Sequence, residues 1–197
     1  MNKTIQLLVD AICLIPRQFF ANDSSDDASR MIHERFVSQL TIKYRRLTGC
    51  YCRTESILPT SETIQKFACT AEKKAVIKKL TTEIASVISP HPTLFMEQAS
   101  NLSLLMTIVE VKTECKLQRA VFYWDLFKLH FLVEQDRSSC GVYFIINQDV
   151  DSVQKKISAY YDRGFYTSLR AENIFFLIKK DYKSDVVALD YRGERCI

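Results

Sequence analysis

Residues 102–113 form an apolar run in which two opposite charges, Glu110 and Lys112, alternate with Val109 and Val111. In an extended strand alternate residues share a face, so Glu110 and Lys112 point one way and the two valines the other. Leu104, Leu105, Met106 and Ile108 precede them, as expected of a strand covered on both sides. Charged side chains are rarely buried unless they are paired or bound to an ion. This stretch therefore asks the rest of the chain for a partner. A cleft holding a metal would supply one; an edge or strand end reaching water would make it unnecessary.

The flanking pattern gives the strand its setting. Residues 93–98 read as a short strand and 99–101 as a turn, and 117–133 as a helix apolar nearly all round, hence largely buried. Residues 141–147 and 173–179 read as further strands, with a helix over 151–161 carrying Val153 and Ile157 inward. Upstream, Ile5, Leu8, Val9, Ile12 and Ile15 make the stripe of an amphipathic helix ended near Pro16. An acidic loop, 22–27, leads into a helix over 29–47 with Ile32, Phe36, Leu40 and Leu47 on one side, stopped by Gly49. Residues 51–58 suit a short strand, and 61–89 a second helical region stopped by Pro90 and Pro92. The residues from 181 onward are weakly patterned. Strands alternating with helices imply an α/β fold with a mixed central sheet flanked by helices. At 197 residues the chain is long enough for one domain and short for two. Within it, 1–60 reads as an N-terminal helical extension and 70–180 as the core.

Composition narrows the class. With 47% hydrophobic and 25% charged residues the chain is of the ordinary globular kind, and four Gly and four Pro exclude a collagen-like or linker-rich one. Asp10 and Gln6 interrupt the N-terminal apolar stretch, which is unlike a secretory signal. No segment approaches the length that spans a bilayer, so no membrane partner is expected. Seven cysteines are an odd number without regular spacing, which points away from a disulfide framework and towards a reducing cytoplasm. Cys50 and Cys52, with His33 and Cys69 loosely nearby, fall short of the paired spacing a zinc site needs. A net charge of +4 permits a nucleic-acid partner without requiring one.

The order of a short strand with an acid, a turn, a strand with Glu-x-Lys, a buried helix and another strand resembles the PD-(D/E)XK nuclease superfamily, the restriction-endonuclease-like fold. The elements that carry the resemblance are Phe95 to Glu97, Val109 to Lys112 and Tyr123 to Leu129, within about residues 70–180. The resemblance implies a metal-dependent nuclease hydrolysing phosphodiester bonds of DNA or RNA. Glu97 and Glu110 would hold Mg²⁺ or Mn²⁺, and Lys112 would orient or deprotonate the attacking water or stabilise the oxyanion. The family usually has Asp as its first acid. Here Glu97 stands thirteen residues before Glu110, and Ser103 marks the other position where that acid could have stood.

Many members add a glutamate from the helix before the first strand. Counting back along strand and helix, Glu83 overlaps the level of Glu97 to within a few ångströms, about 9 Å against about 13 Å. Glu72, at about 25 Å, overshoots. Glu34 is the alternative if 61–89 is an insertion. On the buried helix Gln118, Asp125 and Lys128 form a narrow polar stripe. By the resemblance Gln118 and Lys128 would contact the substrate phosphate; otherwise the stripe is the helix's wet side. Basic residues at 43–46, 73–74, 78–79 and 155–156 could meet phosphates, and Tyr160, Tyr161, Phe165 and Tyr166 could stack bases or fill the core. The alternative function is a non-catalytic protein on the same scaffold, binding nucleic acid or a protein partner. A homodimer is compatible with either.

Overall fold

Val142, Phe144 and Ile146 of one strand face one way, Tyr143 and Ile145 the other, and all five are buried. A strand with two dry faces needs a layer on each side, and the rest of the chain provides both. The computed structural model describes residues 3–20, 26–55, 93–98, 105–114, 116–135, 140–164 and 171–196, and the helical positions 71, 74, 75, 78, 79 and 82. Its elements in chain order are helices α1 (Lys3–Cys13) and α2 (Asp26–Thr48), strands β1 (Cys52–Glu55), β2 (Thr93–Gln98) and β3 (Leu105–Lys112), helix α3 (Arg119–Gln135), strand β4 (Cys140–Ile146), helix α4 (Val150–Asp162), and strands β5 (Ile174–Lys179) and β6 (Val187–Leu189).

The six strands lie in one open sheet in sequence order. β1, β2 and β3 are antiparallel neighbours; β4 and β5 then run parallel to β3, and β6 returns antiparallel. The two parallel steps each need a crossover, supplied by α3 and α4. Both helices cover the face bearing Ile108, Tyr143, Ile145, Phe176 and Ile178, where Val153, Ile157 and Tyr160 of α4 join Phe122, Leu126 and Leu129 of α3. α1 and α2 cover the opposite face. Ile5, Leu8, Ile12, Phe36, Leu40 and Tyr44 pack there against Val109, Val111, Phe144 and Leu177. The first helices thus form a whole layer of the core. The result is the expected α/β fold with a mixed sheet between helices.

Local signals explain the boundaries. α2 stops where Gly49 takes a left-handed φ of 71° and its N–H bonds the Arg45 carbonyl. Its buried stripe runs through Tyr44; Leu47, expected inward, is exposed. Gly141 starts the buried part of β4 because a Cβ there would meet Ile174 Cδ1 at 2.6 Å and Val133 Cγ2 at 2.9 Å. At the far ends of the parallel strands, Asn147 donates from its side chain to the Thr113 carbonyl and Gln148 to that of Glu114. The helix expected over 61–89 is described at six exposed positions; Lys79 there donates to the Arg163 carbonyl just past α4. β6 closes the sheet in the weakly patterned tail, and Arg195 bridges back to Leu189. Among the described residues no helix is long and apolar enough to cross a membrane.

Candidate functional site

Glu110 and Lys112 lie on the α3 side of the sheet and are sealed: their exposures are 0% and 1%. The partner they require comes from α3. Positions 125 and 128 are one turn apart on a helix that is otherwise apolar or aromatic from Phe122 to Val133 apart from His130, so both side chains share the surface that meets β3. Asp125 and Lys128 are as dry as the strand residues. Lys112 Nζ lies 3.0 Å from Asp125 Oδ2. Lys128 Nζ lies 3.0 Å from Glu110 Oε2 and 3.4 Å from Asp125 Oδ1. The Tyr143 hydroxyl, on β4 beside Glu110, donates to Asp125 Oδ2 at 3.1 Å. Phe122 stacks on the Tyr143 ring with centroids 5.2 Å apart and closes the cluster on that side.

Among the described residues, two carboxylates and two ammonium groups meet here and balance to zero formal charge. Burial nevertheless pushes the Glu110 carboxyl up to about 7, against the pull of Lys128 and Lys112 and with the help of Asp125. Burial alone would lower the Lys128 ammonium, but Glu110 and Asp125 hold it above its ordinary value. The Tyr143 phenol is raised by burial and then by the two carboxylates, so it stays protonated and can donate.

The other expected site residues fall as follows. Glu97 is on β2 but pairs in register with Met106; the position level with Glu110 is Thr93. Four residues, about 13 Å of strand, separate the Glu97 backbone from that level. The register therefore does not bring Glu97 beside Glu110. Glu83 lies outside the described residues, as do Glu72 and Ser103. Glu34 is exposed on α2, the layer across the sheet from Glu110, where it lines a groove of about 370 Å³ with His33 and Cys52. Gln118 is exposed just before α3, away from the charges that the stripe was expected to include it with. Lys128 does join the cluster, but at 2% exposure it is shut off from any phosphate in solvent. The stripe is not a wet side either: its Asp125 and Lys128 are among the driest groups in the fold. Tyr160 is core, stacked on His130.

Asp125 is the residue whose role the sequence reading missed. The available signal was complementarity: an acid and a base one turn apart on a dry helix follow an acid and a base on a dry strand.

Mg²⁺ or Mn²⁺ fits this arrangement poorly. A hard cation wants several carboxylate oxygens with water in its remaining positions. Here the space between Glu110 and Asp125 is filled by the Lys128 ammonium. No group of three or more His, Cys, Asp or Glu side chains that could hold a metal is present among the described residues. Comparison with protein-family models, with curated proteins and with solved structures finds no match for this chain.

Proposed function

We propose that the chain is a non-catalytic, nucleic-acid-binding protein on a nuclease-like scaffold. The observation that carries the reading is the Lys128 ammonium between Glu110 and Asp125, in a buried cluster whose described members balance in charge. Hydrolysis at this place would need a carboxylate free to ligate and a lysine free to meet water. Glu110 and Lys112 are instead each engaged by the helix above them.

The element order supports the scaffold. A short acidic strand, a strand with Glu-x-Lys, a buried crossover helix and a parallel strand follow one another as the resemblance to PD-(D/E)XK nucleases leads one to expect. The binding half rests on the end of α2. Arg45 and Arg46 are exposed in its last turn, with Leu47 beside them and Tyr51, 61% exposed, just beyond the Gly49 cap. Cationic groups beside an exposed aromatic ring suit the backbone and bases of a single strand.

The test is fluorescence anisotropy with labelled single-stranded DNA and RNA, run in Mg²⁺ with the products checked on a gel. The reading expects intact oligonucleotide and salt-sensitive binding. Arg45→Glu with Arg46→Glu should weaken that binding at least about tenfold. Cleavage that needs Mg²⁺, or binding untouched by the double reversal, would overturn it.

A further inference from the structure

The short turn Arg17–Phe19 between α1 and α2 and the loop from β5 to β6 enclose a cavity of about 370 Å³, lined by Arg17, Phe20, Asp181, Tyr182 and Lys183. Neither the Arg17 nor the Lys183 side chain has an ion-pair or hydrogen-bond partner among the described residues. The acid in the lining is engaged by its own loop. Asp181 Oδ1 accepts the N–H groups of Lys183 and Ser184, each at 2.8 Å, and the Ser184 hydroxyl accepts the Asp181 N–H. Behind the cavity sits a third cation. Lys179 is 5% exposed; its ammonium donates to the Ser184 carbonyl and lies 5.6 Å from the centre of the Phe20 ring, with no carboxylate in ion-pair reach among the described residues. A buried positive charge without a counter-ion is costly, and it raises the potential that an anion in the cavity would meet. Lys180, next in sequence, differs: it is exposed and 3.5 Å from Asp149.

The cavity also offers a ring. Tyr182 is 44% exposed, and Phe20, packed on Phe36, supports it at a centroid distance of 5.6 Å. A tyrosine face open to solvent beside free cations suits a base joined to a phosphate. The volume is that of a small-molecule site. We propose that this cavity binds a nucleoside monophosphate, with its phosphate between Arg17 and Lys183 and its base on the Tyr182 ring. Two sources carry that group: a free nucleotide, or the phosphorylated end of a single strand. Arg45 and Arg46 are not part of the site. Phe36, against which Phe20 packs, stands ten residues and about 15 Å of helix before Arg46.

Calorimetry on the full chain measures binding of AMP, with adenosine and inorganic phosphate as its two halves. Wild type should bind AMP at least about tenfold more tightly than either half. Tyr182→Ala, and Arg17→Gln combined with Lys183→Gln, should each weaken AMP at least about tenfold. All three positions are exposed, so these variants should keep the fold. Lys180→Gln and the Arg45→Glu, Arg46→Glu reversal should leave AMP binding unchanged. A single strand with a 5′-phosphate, compared with the same strand without it, tells the two sources apart. A preference of at least about tenfold for the phosphorylated strand assigns the cavity to a strand end. AMP binding without that preference assigns it to a free nucleotide, and either result supports the proposal. Wild type that fails to bind AMP overturns it, as does phosphate bound as tightly as AMP, or AMP affinity that survives both cavity variants. Wild type that binds AMP but no oligonucleotide would sink the nucleic-acid reading and leave this cavity in place as a free-nucleotide site.

Discussion

Lys128 on the crossover helix and Glu110 on the strand beneath it meet at 3.0 Å, both shut away from water. Pairs of this kind are poor net stabilisers, because taking two charges out of water offsets most of their attraction. What they do is fix register. With Asp125 and Lys112 crossing in the other direction, α3 can seat on β3 in one way that matches every sign.

Breaking the match should be costly and replacing it should not. Lys112→Ala or Asp125→Ala alone is expected to destabilise by about 3–5 kcal/mol, through the charge left unpaired. Glu110→Leu combined with Lys128→Met keeps the remaining pair balanced and should be neutral or stabilising by about 1–4 kcal/mol. Urea unfolding of the three variants and wild type measures this. Equal losses in the single and paired replacements would mean that the ion pairs hold the fold through more than charge balance.

Two buried groups give the stability opposite slopes with pH. Glu110 is raised in the folded state from 4.5 to about 7, so its protonated form favours folding. That stability is full below about pH 4.5 and is lost as pH rises through 7. His130, which shares a 2.8 Å hydrogen bond with the Tyr161 hydroxyl, is lowered by burial from 6.5 to about 3. Its contribution is full above pH 6.5 and is lost as pH falls through 3. The two partly cancel between pH 4.5 and 6.5. Glu110→Gln should leave a stability that rises with pH across that window, and His130→Gln one that falls, each by on the order of 2 kcal/mol. Urea midpoints at pH 4.5, 5.5 and 6.5 would show it; parallel profiles in both variants would contradict it.

Gly141→Ala tests the packing of α3 on β4. The added methyl would meet Ile174, Val133 and Leu129 at 2.6, 2.9 and 3.0 Å, all side chains of the core. Overpacking of this kind costs about 1–3 kcal/mol. Thermal melts should show the loss, and an unchanged melting temperature would mean that this layer can yield.

Much of the fold was legible in the sequence because strands such as β4 are continuous apolar runs, dry on both faces. β2 falls on 93–98 as read, and β4 and β5 begin within a residue of expectation. β6 was not legible: Val187 to Leu189 is three residues long and owes its place to pairing with β5. At the end of α2 the apolar spacing points to Leu47, whereas the helix buries Tyr44, one turn after Leu40, and leaves its arginine neighbours outside. The charges on β3 do need a partner, and have one. Which partner was tertiary information. A metal, water and a facing helix all satisfy the same pair of residues, and only the seating of α3 decides among them.

The most direct test of the central claim is cleavage itself. Wild type and Lys112→Ala are incubated with single- and double-stranded DNA and RNA in Mg²⁺ and in Mn²⁺, and product is quantified. If the cluster is an internal ion-pair lock, both proteins give the background rate in every combination. Metal-dependent cleavage by wild type that disappears in a folded Lys112→Ala would contradict the account.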